Sequence, residues 1–544
     1  MQTQEIVDDI LHHQGELENR RKPWEPIWEE VDLRVNPLGQ GGFQERTPGQ
    51  LNGLDIFDHT ASLGLDRFTA AYTGMIIPRG ERYHTLTSTS SALNDQPAFQ
   101  AWVEGALDVL FARRYSPLAG FDPEANMNIR SLGSYGSGPF WVDERPGRGI
   151  FYKTLHLSEC YVDEDYTGLV DTLHRKFKVT VRQAAQMFGA ENLTAKLRED
   201  YDNRKWDREH YVLHVVRPRH DRDPERFDFR SMAIESRYIS MTDKAQIREG
   251  GYRTSPMCFS RYVTGPRELY GRSPAIQVMG SIRVINAMAK TLLRAGQKAT
   301  DPPLLIPEDG VISQINITPG KVTVGGLDFN GNPLVVPMQH GGSLPIGMEL
   351  LNNEREPVRN AFLEKVWSLV LERRDRMTAT EVLEISRMQG MLLAPMASRQ
   401  EVEWLGPMIE RELDILIRNR AIPRPPPEFY EEGAQLRIIY DNPLSRAAKA
   451  EEAIGFGRLL EMLAPIAAID PGAYDAISTE RAPRELAKAL AVRSTYMATP
   501  EEIAAKREAR QQAEEITSAL GALKDAGAAV KDLSAARGEE TAFV

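Results

Sequence analysis

Two stretches with helical spacing of apolar residues, 271–299 and 346–374, are separated by a segment that no long helix can cross. Pro302, Pro303, Pro307, Gly310, Pro319, Gly320, Gly325 and Gly326 all fall between them. Proline removes a backbone donor and clashes with the preceding turn, while glycine loses the most backbone freedom on ordering. Such a run favours short strands and turns. The chain is thus constrained to a long helix, a small strand-rich insert and a second long helix.

Around that centre the pattern changes twice. Ile6, Ile10, Leu11 and Leu17 open an amphipathic stretch, continued after Pro23 by Trp24, Ile27, Trp28 and Val31. A helix after Asp58 is marked by Ala61, Leu65, Phe68, Tyr72 and Met75 and stops before Pro78; another runs from Phe99 to Phe111. From 139 to 263 the spacing is that of strands: a hairpin at 140–152, then Leu169–Val179, His210–Val216, Ile234–Met241 and Met257–Val263. One short helix interrupts them, with Thr180 and Gln183 as a capping box and Gly189 as its stop. Thr378 to Glu381 has the same capping spacing before a helical region broken at Gly390, Pro395 and Gly406-Pro407. The proline-rich run 422–427 reads as a stiff connector, 436–440 as a strand, and the Ala-rich remainder as helix or partly disordered chain.

Composition excludes several roles. The 544 residues imply several structural units, and 42% hydrophobic with 26% charged residues is ordinary for a globular protein. A net charge of −11 argues against a protein that coats nucleic acid. Two cysteines supply neither a disulfide framework nor a Cys-based zinc site. The polar N-terminus lacks a signal pattern and no apolar run nears 18 residues, so the chain is expected to be made in the cytoplasm, without a membrane partner.

Candidate chemical motifs have plain readings. Gly133-Ser134-Tyr135-Gly136-Ser137-Gly138 lacks the Lys-Ser/Thr ending of a P-loop and precedes a strand, so it reads as a tight turn. His210, His214 and His220 sit in or beside a strand without a partnering His-Glu-x-x-His pattern. Asp163, Glu164 and Asp165 read as a solvated acidic loop. No cofactor, metal or catalytic set is expected, and the chain is not read as an enzyme. One bias does stand out: 271–299 holds Arg272, Arg283, Lys290, Arg294 and Lys298 and no acidic residue. At about 100° per residue all five fall within roughly 80° of one helix face. That face suits either DNA or acidic side chains of a neighbouring subunit.

The ordered series resembles the portal, or head-to-tail connector, proteins of short-tailed bacteriophages. It comprises Leu132 to Gly138 before a hairpin, Tyr161 to Gly168, Arg175-Lys176-Phe177, Tyr270 to Ala275, Leu292 to Pro303, Met377 to Val382 and Tyr440 to Leu444. The resemblance implies a mixed α+β, helix-rich portal fold in a ring of twelve copies at one capsid vertex. Long stem helices, an α/β wing, a strand-rich clip and a helical crown are its parts. Mapped here, the wing covers 1–270, stem helix one 271–299, the clip 300–345 and stem helix two 346–374. A channel loop at 372–380 would carry Glu372, Arg373, Arg374, Asp375 and Arg376 toward DNA. The wing helix and Pro-rich connector follow at 381–428, the wing strand and crown at 429–500, and a helical or partly disordered tail at 501–544, where the portal pattern fades. The implied partners are further copies of the chain, double-stranded DNA passing non-specifically, the terminase motor, a tail adaptor, and capsid and scaffolding proteins. The implied place is the virion, assembled in the host cytoplasm. Another tail or baseplate structural protein, or a tail-associated hydrolase, are the alternative readings.

Overall fold

The N-terminal spacing forms α1 (Gln2–Arg21) and α2 (Glu25–Arg34), and the stretch after Asp58 forms α3 (Thr60–Ile76). The structure, a computed structural model, describes residues 2–37, 43, 55–94, 96–145, 147–306, 308, 320–322, 324, 326–338, 344–365, 395–440, 455–465, 477–478, 482–483, 486–487, 502–513 and 516. Its contacts divide the chain into two units. Met1–Leu86, Gly105–Arg424 and Ile438–Leu444 form the first; Thr87–Glu104, Pro425–Arg437 and Ser445–Val544 form the second. Within the second, Phe99 stacks on Phe429, and the Thr89 N–H donates to the Gln435 carbonyl at 3.0 Å.

The first unit mixes helix and sheet. A helix absent from the sequence reading, α4 (Phe121–Tyr135), leads into β1 (Ser137–Arg145). β1 pairs antiparallel with β2 (Gly149–Thr154), as the hairpin spacing requires, and on its other side with β8 (Met257–Arg261). Between these lies a five-stranded antiparallel meander: β3 (Cys160–Glu164), β4 (Val170–Thr180), β5 (Glu209–Pro218), β6 (Ile234–Ser240) and β7 (Ala245–Tyr252). β5 is central, and its side chains are needed on both faces. Val212 joins Phe177, Val179 and Ile247 under the short helices Val181–Phe188 and Ala195–Asp202. Leu213 and Val215 join Val7 and Ile10 of α1 on the opposite face. A sheet covered on both faces explains the near-continuous apolar run in β5. Thr180 and Gln183 form the expected reciprocal capping box at the start of Val181–Phe188.

The glycine-rich segment closes α4 rather than forming a loop of its own. Gly136 adopts φ +83° as the left-handed cap, and a Cβ there would collide with the carbonyl oxygen of Gly271. The Tyr262 N–H donates to the Gly136 carbonyl at 2.9 Å, and the Gly271 N–H to Ser137 Oγ at 2.9 Å. Two motifs 134 residues apart thus pack backbone against backbone. Ser273 then caps the next short helix and donates to the Ser134 carbonyl at 2.7 Å.

Beyond these come α5 (Met279–Thr300), α6 (Leu344–Ala361) and α7 (Gly406–Arg418). Two readings are corrected. The second central helix does not run unbroken from 346 to 374: α6 ends at Ala361, and Leu363 takes φ +60°. Gly406-Pro407 does not break its helix. A π turn at Glu401–Leu405 lets the Gly406 N–H reach the Glu401 carbonyl, and the widened turn passes the donorless proline. Among the described residues of the insert, Leu304–Leu305 pairs with Val336–Pro337, and one bridge joins Leu327 to Pro333.

Candidate functional site

α5 and α6 pack against each other, and the sequence permits the close approach at Gly347. A Cβ there would lie 2.6 Å from Leu292 Cδ2. The packed face of α5 carries Met279, Ile282, Ile285 and Ala289; that of α6 carries Leu351 and Val358. Each helix also leaves apolar side chains in water: at about 100° per residue Ile346 and Leu350 lie on one flank of the packed face of α6 and Met348 on the other, while Val284 stands opposite the packed face of α5 and Leu293 continues it. Val284 and Leu293 on α5, and Ile346, Met348 and Leu350 on α6, stand about half exposed or more. The insert continues this character with Leu305, Val322, Val324, Leu327 and a fully exposed Phe329. Apolar area on this scale is the mark of an association surface.

At its base the helix pair is held by charge. Arg355 of α6 donates to the buried Asp58 carboxylate at 2.6 Å, and Asp58 accepts the Thr60 N–H at 2.8 Å at the start of α3. Burial pushes the Asp58 carboxyl upward, but the bonds from Thr60 and Arg355 outweigh it and hold it below the usual range. Phe362 packs on Gly64 of α3, where a Cβ would lie 2.9 Å from its ring.

The five basic residues expected on one helix face separate into different settings. Arg272 precedes α5 altogether, on an extended segment bridged to Val263, and binds Glu268 at 2.9 and 3.0 Å. Arg283 donates to Glu30 of α2 at 2.6 Å, and that bond holds the Glu30 carboxyl low. Lys290 lies 5.0 Å from the Phe57 ring centroid. Arg294 and Lys298 are exposed near the end of α5 and form no ion pair among the described residues. The acidic groups met by Arg272 and Arg283 belong to the same chain. Glu372, Arg373, Arg374, Asp375 and Arg376 lie outside the described residues.

The acidic triplet at 163–165 is also more committed than a solvated loop. Asp163 binds Arg20 at 2.9 Å and lies 3.2 Å from His13 Nε2, tying α1 to the edge of the sheet. Glu164 faces Arg261 at 3.3 Å. Asp165 accepts the N–H groups of Thr167 and Leu169, closing the turn between β3 and β4.

Sequence spacing gave no sign of the buried pair Arg114–Glu412, whose partners lie 298 residues apart. Both side chains are wholly buried. Arg114 donates to Glu412 Oε1 at 3.0 Å, to the Tyr83 hydroxyl at 2.6 Å and to His84 Nε2 at 2.9 Å, while the Tyr152 hydroxyl donates to Glu412. Burial drives the His84 imidazole well down and the Tyr83 and Tyr152 phenols well up, so all three are neutral partners of one ion pair. Their arrangement joins α7 to β2 and serves packing.

The sequence matches the family described as bacteriophage head to tail connecting protein over residues 8–497. The chain belongs to this family. The match to the connector family stops just short of 501–544, the segment in which the portal-like pattern also fades. Among curated relatives, the probable portal protein of Bordetella phage BPP-1 is 24% identical over 479 residues, covering 87% of this chain and 85% of that protein. The portal protein of Salmonella phage epsilon15 is 23% identical over 539 residues, covering 96% and 95%. Among solved structures, a chain from the neck of an empty gene transfer agent particle computed with C6 symmetry is 13% identical with a TM-score of 0.37, covering 81% of this chain and 95% of that one. A chain from the virion of the native particle is 14% identical with a TM-score of 0.36, covering 74% and 85%.

In this connector-family chain the histidines singled out from the sequence do not converge. His210 Nε2 bonds Asp200 at 2.9 Å, His214 bonds Ser236 at 2.9 Å and stacks on Tyr238, and His220 is exposed in a turn. Among the described residues no group of three or more His, Cys, Asp or Glu side chains is placed to hold a metal ion.

Proposed function

We propose that twelve copies of this chain close into a ring at one capsid vertex, through which double-stranded DNA is packaged, retained and ejected. The exposed apolar side chains of the α5–α6 pair carry this reading. They stand about half in water on more than one side of the pair, and a ring covers them by setting two different surfaces of each copy against its neighbours. The long helices act as the stem, the insert at 300–345 as the clip, and the α/β part, 1–270 with 381–428, as the wing. The crown begins after the strand at Leu436–Tyr440. The clip docks the terminase motor during packaging and a tail adaptor afterwards. No catalytic step is assigned to the chain.

Charge supports passage without capture. Twelve copies at −11 each give −132, a field that repels phosphates except at basic levels. Affinity for the duplex rises with each phosphate neutralised, so a sliding channel uses few contacts. Arg373, Arg374 and Arg376, interleaved with Glu372 and Asp375, are proposed as one such level, and Arg294 with Lys298 as a second. Native mass spectrometry tests the ring: twelve copies of a 61.1 kDa chain weigh about 733 kDa. A monomer across concentrations and salts would end the proposal.

A further inference from the structure

At the C-terminal end of α7 lies a hollow of about 640 Å³ lined by Arg253, Arg418, Arg420, Arg424, Asp414, Ile417, Ile422 and Pro423. Its charges are unevenly matched. Arg418 is held by Glu144 at 2.8 Å, and Asp414 lies 3.4 Å from the buried Arg411. Arg253, Arg420 and Arg424 are exposed and form no ion pair among the described residues. Three guanidinium groups around an aliphatic floor suit a carboxylate-bearing segment that also brings an apolar side chain. A phosphodiester strand would leave that floor unused.

The other end of the same helix displays such a segment. The β3–β4 turn presents Glu164 and Asp165, with Asp171 partly exposed at the start of β4, Tyr166 fully exposed and Leu169 nearly half exposed. The turn is rigid: Asp165 accepts from Thr167 and Leu169, and Gly168 takes φ +87°. It is anchored by Arg261, which donates to the Gly168 carbonyl at 2.8 Å and to Glu403 at 2.7 Å in the π turn that opens α7. Burial chiefly, with a smaller contribution from the Asp165 and Asp163 carboxylates, pushes the Asp171 carboxyl upward. From Glu403 to Arg418 is about 22 Å along the helix at about 1.5 Å per residue. A chain therefore cannot fill its own hollow with its own turn, whereas a head-to-tail neighbour can.

We propose that the Glu164–Leu169 turn of one copy seats in the arginine-lined hollow of the next copy around the ring. Tyr166 covers Ile417 and Pro423, and the carboxylates face Arg253, Arg420 and Arg424. This rests on the ring reading and adds the contact that gives the ring its direction.

The test mixes two single-cysteine variants, Tyr166→Cys and Arg420→Cys, of the full chain under mild oxidation. The native Cys160 and Cys258 are buried, so background cross-linking is low. Disulfide-linked dimers are expected from the mixture and from neither variant alone. Rings of full mass without cross-link overturn the seating and leave the ring standing; wild-type protein that never forms rings overturns both. A charge exchange gives a second readout. Arg420→Glu with Arg424→Glu should raise the half-assembly concentration about 10-fold, and adding Glu164→Lys in the same chain should recover most of that loss. A double variant within twofold of wild type, or one that instead loses affinity for a 30-base-pair duplex probe with assembly intact, overturns the proposal.

Discussion

The sheet-bearing part of the first unit and the α5–α6 pair solve the same problem in opposite ways. In the sheet part, charges and aromatic rings find their partners inside the chain: Arg114 with Glu412, Arg261 with Glu403, Arg411 with Asp143, Tyr135 with Asp32. In the helix pair, one apolar face is buried and further apolar side chains on its flanks are left in water. The first region is complete as a folded body. Under the proposed ring, the second is finished only when another copy covers it. Disturbing the first should thus cost stability, and disturbing the second should cost association.

The largest loss is expected at the buried ion pair. Glu412→Gln leaves Arg114 charged and without a counter-ion at a wholly buried site, a change that costs about 3–5 kcal/mol. Urea unfolding should register most of this, with soluble yield falling in step. Gly136→Ala comes next. The left-handed backbone costs an L residue about 1 kcal/mol, and the Cβ meets the Gly271 carbonyl, so about 2–3 kcal/mol in total is expected. Gly280→Ala, in helix α5 with open space around it, is the control and should be neutral or slightly stabilising.

A pH effect of intermediate size belongs to the sheet. Burial first, and nearby cations second, pull the pKa of His174 and His214 down to about 3. Unfolded histidine titrates near 6.5, so between about 6.5 and 3 the unfolded chain binds more protons than the folded one. Stability therefore rises with pH through that window and is lost on acidification. At pH 5 each histidine accounts for about 2 kcal/mol, because one pKa unit is worth about 1.4 kcal/mol. His214→Gln removes one of these titrations. Its stability-against-pH slope should fall by up to one proton, while a plot parallel to wild type would show that His214 does not titrate on unfolding.

These contrasts also explain what was legible in the sequence. Local signals survived into the structure: the Thr180–Gln183 capping box, the 140–152 hairpin, and the apolar spacing of α1 to α3. α4 was hidden because its C-terminal residues include Gly133 and are followed by Gly136, a composition that reads as a turn. Gly133 is there because Leu65 and Phe68 of α3 leave no room for a side chain. The basic face on 271–299 was legible for four of its five members: Arg283, Lys290, Arg294 and Lys298 lie on α5 at one-face spacing. Periodicity assigns residues to faces only within one helix, and Arg272 sits outside α5. Arg114 and Glu412 carry no signature at all, since a buried pair is set by tertiary packing between distant segments.

The smallest expected effect on stability is the most informative about assembly. Ile346, Met348 and Leu350 are more than half exposed, so replacing all three by serine removes little buried area from the isolated chain. A change within about 0.5 kcal/mol is expected in urea unfolding measured on monomers at low concentration. In the ring the same side chains lose their water, and each truncation forfeits about 1–2 kcal/mol per copy at an interface that must close on itself. Losses of that size, repeated around the circle, should abolish rings at concentrations where wild type assembles. If the triple variant unfolds at markedly lower urea as a monomer, these residues pack within the chain and the division between a finished sheet region and an unfinished helix pair is wrong. If it is stable and still closes into rings of full mass, these exposed side chains of α6 are not where neighbouring copies meet.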